Sequence, residues 1–277
     1  MVLRTVYPVP EFALATVALF LLLASVACSV YLLVLRPVGG RQTWGISEIL
    51  AITVLFLVAL PMAAILTGVG EPLTLTTLST VTILQNVLFA GLSAYVVMVR
   101  YRQEPLRLGV QLEGWRTLLA VGVVAAAITI PLAIASEQLA TFLVGLIEGP
   151  SQAAARAVEE HTRDPLRPVF EQVSGPGAEA WLLFLLAVVV PVGEEVFFRG
   201  LVYGGLRARW GVVVATIGSA LFFSAVHVQV IHGLPIFVLA AILAVFYQRT
   251  GSLLPPIVAH GINNVIAVVS IWRGWEI

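Results

Sequence analysis

Residues 181–200 read WLLFLLAVVVPVGEEVFFRG. The run from Trp181 to Pro191 carries no charge, and Glu194, Glu195 and Arg199 follow it directly. At the centre of a bilayer each such charge costs about 2.5–3.5 kcal/mol even on the mildest scales, so ionisable groups at that depth signal a functional site by default. The reading of this stretch as a membrane helix decides the fold.

The rest of the chain supports a bilayer. Hydrophobic residues make up 60% and charged residues 11%, and the mean hydropathy is +1.01, values outside the range of soluble domains. With 15 basic and 15 acidic residues the net charge is zero, which gives no reason to expect nucleic acid as a partner. The expected partners are lipid and a peptide or membrane-protein substrate. Cys28 is the single cysteine, which excludes an internal disulfide and any CxxC motif.

A crossing helix needs about 20 mostly apolar residues. On that rule the chain is an all-α polytopic bundle of about eight transmembrane helices, over 12–35, 48–69, 78–99, 117–147, 180–199, 211–228, 234–248 and 254–272. Glu137 is expected to break the fourth, leaving an interfacial helix from Leu139 to Ile147. The expected organisation is N-terminal membrane helices over 1–147, an extramembrane loop over 148–178 and a catalytic membrane core over 179–277. The loop contains His161, Pro165 and Pro168 and reads as a short surface helix with a turn-rich return. Arg36 and Arg41, then Arg100, Arg102, Arg107 and Arg116, then Arg207 and Arg209, then Arg249 make every second loop basic. The alternate loops, such as the one beginning at Gly70, are nearly uncharged or mixed. Basic loops stay in the cytoplasm, so both termini are expected outside.

Within the fifth span, Glu195 and Arg199 are four apart and share a helix face, the favourable order for an ion pair. Glu194 is turned about 100° away and is left as the free carboxylate. Two of the four histidines, His227 and His260, also fall in apolar segments. Phe223 lies one turn before His227, and Asn264 one turn after His260, with Asn263 beside it. A free carboxylate, two histidines and an amide suit hydrolysis of a carbonyl compound. The carboxylate takes a proton from water and hydrogen-bond donors stabilise the oxyanion. Zinc is the competing chemistry, with Glu194, His227 and His260 as candidate ligands, although HExxH is absent.

EExxxR followed by Gly200, FxxxH at Phe223–His227 and HxxxN at His260–Asn264, in that order, resemble the three motifs of the CPBP intramembrane proteases. That family includes type II CAAX prenyl proteases and bacteriocin-processing or immunity proteins. The resemblance covers 178–272. It implies a membrane endopeptidase in which Glu194 activates water with help from His227, and His260 and Asn264 form the oxyanion hole. Glu195 and Arg199 would support them. The family is described both as metalloprotease and as metal-free glutamate protease, so zinc stays open. The expected location is the bacterial plasma membrane. A non-catalytic immunity or scaffold protein of the same fold, or a proton-coupled transporter, are the alternatives. One tension remains: with the fifth helix running inward and the sixth outward, Glu194 would sit in the inner half of its span, whereas His227 would lie near the outer surface.

Overall fold

The computed structural model describes residues 11–39, 43–67, 74–162 and 167–273. Arg41, residues 70–73, Pro165 and the side chains of His161 and Pro168 lie outside the described residues. Among the described residues the chain is helical, without strands. The helices are α1 (11–35), α2 (46–67), α3 (Leu75–Arg100), α4 (Trp115–Glu148), α5 (Pro150–Thr162), α6 (Arg167–Gln172), α7 (176–210), α8 (212–226), α9 (Gly233–Thr250) and α10 (Leu254–Arg273). Among the described residues seven helical stretches are long and apolar enough to cross a membrane. One of them, Pro176–Val226, is folded double at Gly211, so the described residues form eight membrane segments, of which the sixth, α8, is short.

That fold resolves the mismatch in height. The fifth helix does not stop at Phe198–Arg199; it continues to Trp210. At Gly211 the backbone takes φ 79° and ψ −179°, a conformation that costs little only without a Cβ. The chain then runs back along itself. Leu206 faces Gly218, Phe198 packs edge-on against Phe223 at 4.7 Å, and Glu194 and His227 border one cavity. Each pair is nearly equidistant from the turn, so the helix overrun brings His227 down to Glu194. At 1.5 Å per residue α8 is about 22 Å long, shorter than the hydrocarbon core of about 30 Å. His227 therefore ends its helix short of a full crossing.

A second correction concerns α4. Glu137 does not interrupt it; Trp115–Glu148 is one helix of 34 residues, with Pro131 inside it. Glutamate is a good helix former and imposes no backbone break, and its charge is met from outside by His232, whose Nε2 lies 3.6 Å from Glu137 Oε1. At 1.5 Å per residue the helix is about 51 Å long, well beyond the hydrocarbon thickness of about 30 Å, and α5 folds back against its end.

The basic loops gather at one end. Gln103, Glu104 and Arg107 share a polar cavity with Arg207 and with Gln248 and Gly251, while Leu253 N–H donates to the Gly109 carbonyl at 3.0 Å. The opposite end carries α5, α6 and the 228–232 segment, where Trp272 Nε1 donates to the Phe170 carbonyl at 2.8 Å. The largest apolar core lies between the N-terminal helices and α7–α9, with Phe56, Phe89, Phe197, Phe198 and Phe223 in it.

Candidate active site

The site is centred on the middle of α7, where the helix is loosened into wider π turns at Leu185–Val189 and Val196–Tyr203. Such turns frequently mark functional sites. The expected pairing on one face is present: Arg199 Nη1 donates to Glu195 Oε1 at 2.9 Å, with the two side chains 1% and 0% exposed. Arg199 also donates to the Ala240 carbonyl at 3.3 Å, and its guanidinium lies 4.8 Å from the centre of the Phe223 ring.

Glu195 Oε1 accepts a second bond. His260 Nδ1 donates to it at 2.8 Å, so the carboxylate fixes both the ring plane and the position of the Nδ1 proton. The other ring nitrogen, Nε2, is thereby aimed at Glu194, whose Oε2 is 3.8 Å away. Glu195 Oε2 is buried without a hydrogen-bond partner. Glu194 is 14% exposed and opens on a cavity of about 310 Å³ that it shares with His227, Thr53, Gln85, Phe89 and Phe222. In sum, one carboxylate is consumed by structure and its neighbour is left available.

His227 stands at the end of α8. Its Nδ1 donates to the Phe223 carbonyl at 2.7 Å, which leaves Nε2 for a ligand, and its ring lies 4.8 Å from that of Phe223. Phe223 also meets the His260 ring edge-on at 5.8 Å. One aromatic ring therefore touches Arg199, His227 and His260.

The two asparagines part company. Asn263 turns to α4, donating to Thr129 Oγ1 at 2.8 Å and to the Ala259 carbonyl at 2.7 Å; it ties helices together. Asn264 donates to the Leu186 carbonyl at 2.8 Å, a carbonyl belonging to a π turn. This close packing of α10 on α7 needs Gly261, where a Cβ would collide with the Ala187 carbonyl oxygen. Both asparagines border a second cavity of about 330 Å³ between α4, α9 and α10. Asn264 thus borders that second cavity and not the one shared by Glu194 and His227.

A catalytic zinc needs three protein ligands converging at about 2.0–2.2 Å from the metal. Among the described residues no three His, Cys, Asp or Glu side chains are grouped closely enough to hold a metal ion. Glu194, His227 and His260 are therefore not drawn together as a ligand set in this arrangement, although the Nδ1 bond of His260 to Glu195 leaves Nε2 available, as in metal-ligating histidines.

Sequence reasoning overlooked the contribution of the first half of the chain. Asn86 of α3 packs against Gly193, immediately before Glu194, and its Oδ1 is buried without a hydrogen-bond partner. Phe56 and Phe89 line the Glu194 cavity. The available signal was Gln85-Asn86, the two side-chain amides of a membrane-length helix, since an amide at that depth needs a reason.

Residues 176–266 match the family model described as Type II CAAX prenyl endopeptidase Rce1-like. A Bacillus subtilis (strain 168) protein named "Putative membrane peptidase YdiL" is 28% identical over 88 residues, which are 32% of this chain and 36% of that relative. The chain thus matches little more than a third of the relative's length. No solved structure matches the chain. The resemblance read from the three motifs is borne out over this stretch, and the first four membrane helices lie outside it.

Proposed function

We propose, from the match of residues 176–266 to that endopeptidase family, that this integral membrane protein is an intramembrane endopeptidase of the bacterial plasma membrane, acting on a peptide or membrane-protein substrate. Glu194 is the general base. Its carboxylate takes a proton from water, the hydroxide adds to the scissile carbonyl carbon, and the resulting oxyanion is held by His260 Nε2–H and Asn264. Glu194 then returns the proton to the leaving nitrogen as the C–N bond breaks. His227 shares the cavity and orients the water.

The observation that carries this reading is the division of labour between adjacent glutamates. Glu195 is committed to Arg199 and His260, whereas Glu194 faces a cavity and the second nitrogen of His260. Because Nδ1 already donates, an Nε2–H donor requires the imidazolium. Two carboxylates, one guanidinium and one imidazolium then sum to zero, the balanced state for charges withdrawn from water.

The test is cleavage of a peptide library and of membrane-protein fragments by the purified chain in detergent, with wild type and Glu194→Gln compared, each with and without a chelator. The expected result is cleavage by the wild type that persists with chelator and is lost in the variant, at unchanged thermal stability. Loss with the chelator would contradict the metal-free reading. Equal cleavage by both proteins would sink the assignment of Glu194.

A further inference from the structure

We infer that Glu160, on the extramembrane helix α5, is a positioning residue for His227, holding the segment that follows it in the geometry the proposed hydrolysis needs; this rests on the protease reading above. Three consecutive backbone N–H groups donate to one carboxylate: Val230 to Oε1 at 3.0 Å, and Ile231 and His232 to Oε2 at 2.9 and 3.2 Å. His232 is the N-cap residue of α9, an end with no side-chain cap of its own, and Val230 and Ile231 lead into it; the positive end of the helix favours an anion there. Glu160, about seventy residues away in sequence, holds the approach to that helix end.

The segment under this clamp is short and strained. It begins at His227, and Val228 adopts φ 53° although a β-branched residue in that region costs about 1–3 kcal/mol and persists only when its surroundings hold it. Val228 is itself 87% exposed, so packing does not hold it. The restraints come from either side: Ser224 Oγ donates to the Gly233 carbonyl at 2.6 Å, and Glu160 grips the three amides. The platform for Glu160 is firm. Arg156 is bonded to Glu148 at the end of α4, at 2.6 and 3.2 Å, and the buried Ala153 packs against Gly145. His232 Nδ1 lies 3.3 Å from Glu160 Oε2 and its Nε2 faces Glu137 of α4. An unbroken path therefore runs from α4 through α5 and Glu160 to the backbone that carries His227. Glu160 acts through that backbone.

Glutamine at 160 has one acceptor oxygen in place of two and would turn an NH₂ group towards amide donors, so it cannot keep all three bonds. Glu160→Gln is tested in the full chain in detergent with a peptide that the wild type cleaves in the library experiment. The expected result is a fall in kcat on the order of 10- to 100-fold, the scale of a small misplacement of a catalytic group, with KM little changed. Amide hydrogen exchange read by mass spectrometry should accelerate in the peptide spanning 228–233 and stay as in the wild type elsewhere in the chain. In a His227→Ala background the same substitution should add no further loss, because coupled residues are non-additive. Unchanged exchange in 228–233, unchanged kcat, or full additivity with His227→Ala would each overturn the inference. If the wild type and Glu194→Gln cleave equally, the protease reading fails and the catalytic role of Glu160 fails with it, while the exchange measurement reports separately whether the clamp exists.

Discussion

At the residue scale the site is organised by the unequal lives of two neighbouring carboxylates. Glu195 is fully buried, accepts from Arg199 and from His260, and keeps one oxygen without a partner. Glu194 is partly exposed to a cavity. The same substitution at the two positions should therefore have opposite consequences. Glu195→Gln strands the buried guanidinium of Arg199, and breaking such a pair costs about 3–5 kcal/mol; thermal unfolding in detergent should register it together with lost activity. Glu194→Gln should abolish cleavage at nearly wild-type stability. Equal destabilisation by both would contradict this division. The pairing itself was legible in the sequence, because residues four apart on a helix must be neighbours whatever surrounds them. That His260 would choose Glu195 for its Nδ1 was not, because 65 residues separate them.

At the element scale two glycines determine whether helices meet. Gly211 turns α7 back along itself with φ 79°. Alanine there would be forced into a positive-φ, extended-ψ conformation that is essentially reserved for glycine, at a cost of about 1–3 kcal/mol, so Gly211→Ala should lower the unfolding temperature while leaving the specificity of cleavage as it was. Gly261 acts differently. It lets α10 touch the Ala187 carbonyl, and Gly261→Ala should push His260 and Asn264 away from α7 and reduce kcat much more than Gly211→Ala does; the ratio of the two effects on kcat and unfolding temperature is the check. The helices themselves were evident from hydropathy. Their ends were not, since Arg207 and Arg209 read as a loop between two spans, whereas the helix carries both of them and turns only at Gly211. Glu137 misled for the related reason that a charge inside an apolar run looks like a boundary until its partner, His232 of another element, is known.

At the scale of the whole molecule, the end opposite the basic loops is joined by a polar cluster of Glu137, His232 and Glu160. His232 lies outside the membrane helices, and its pKa is raised above the ordinary histidine value, first by its hydrogen bond with Glu137 and then, against the cost of burial, by the charges of Glu137 and Glu160. A group whose folded pKa exceeds its unfolded one stabilises most below the unfolded value, about 6.5, and loses that contribution as pH rises through the folded value. The unfolding temperature should thus fall as pH rises from about 6 into the alkaline range. Glu137→Gln should flatten that dependence. A slope unchanged by the substitution would rule out His232 as its source.

The sequence by itself determined an all-helical membrane bundle, the ion pair on α7, the free carboxylate beside it, and the motifs whose family match covers 176–266. Each follows from composition or from a helical period, both of which are local. Only the tertiary structure decided that Glu194 and His227 share a cavity, that Phe56, Phe89 and Asn86 of the unmatched half shape the site, and that Glu160 grips the chain beyond His227. Those contacts join residues tens of positions apart through a reversal at one glycine and the packing of whole helices, and no local pattern encodes them.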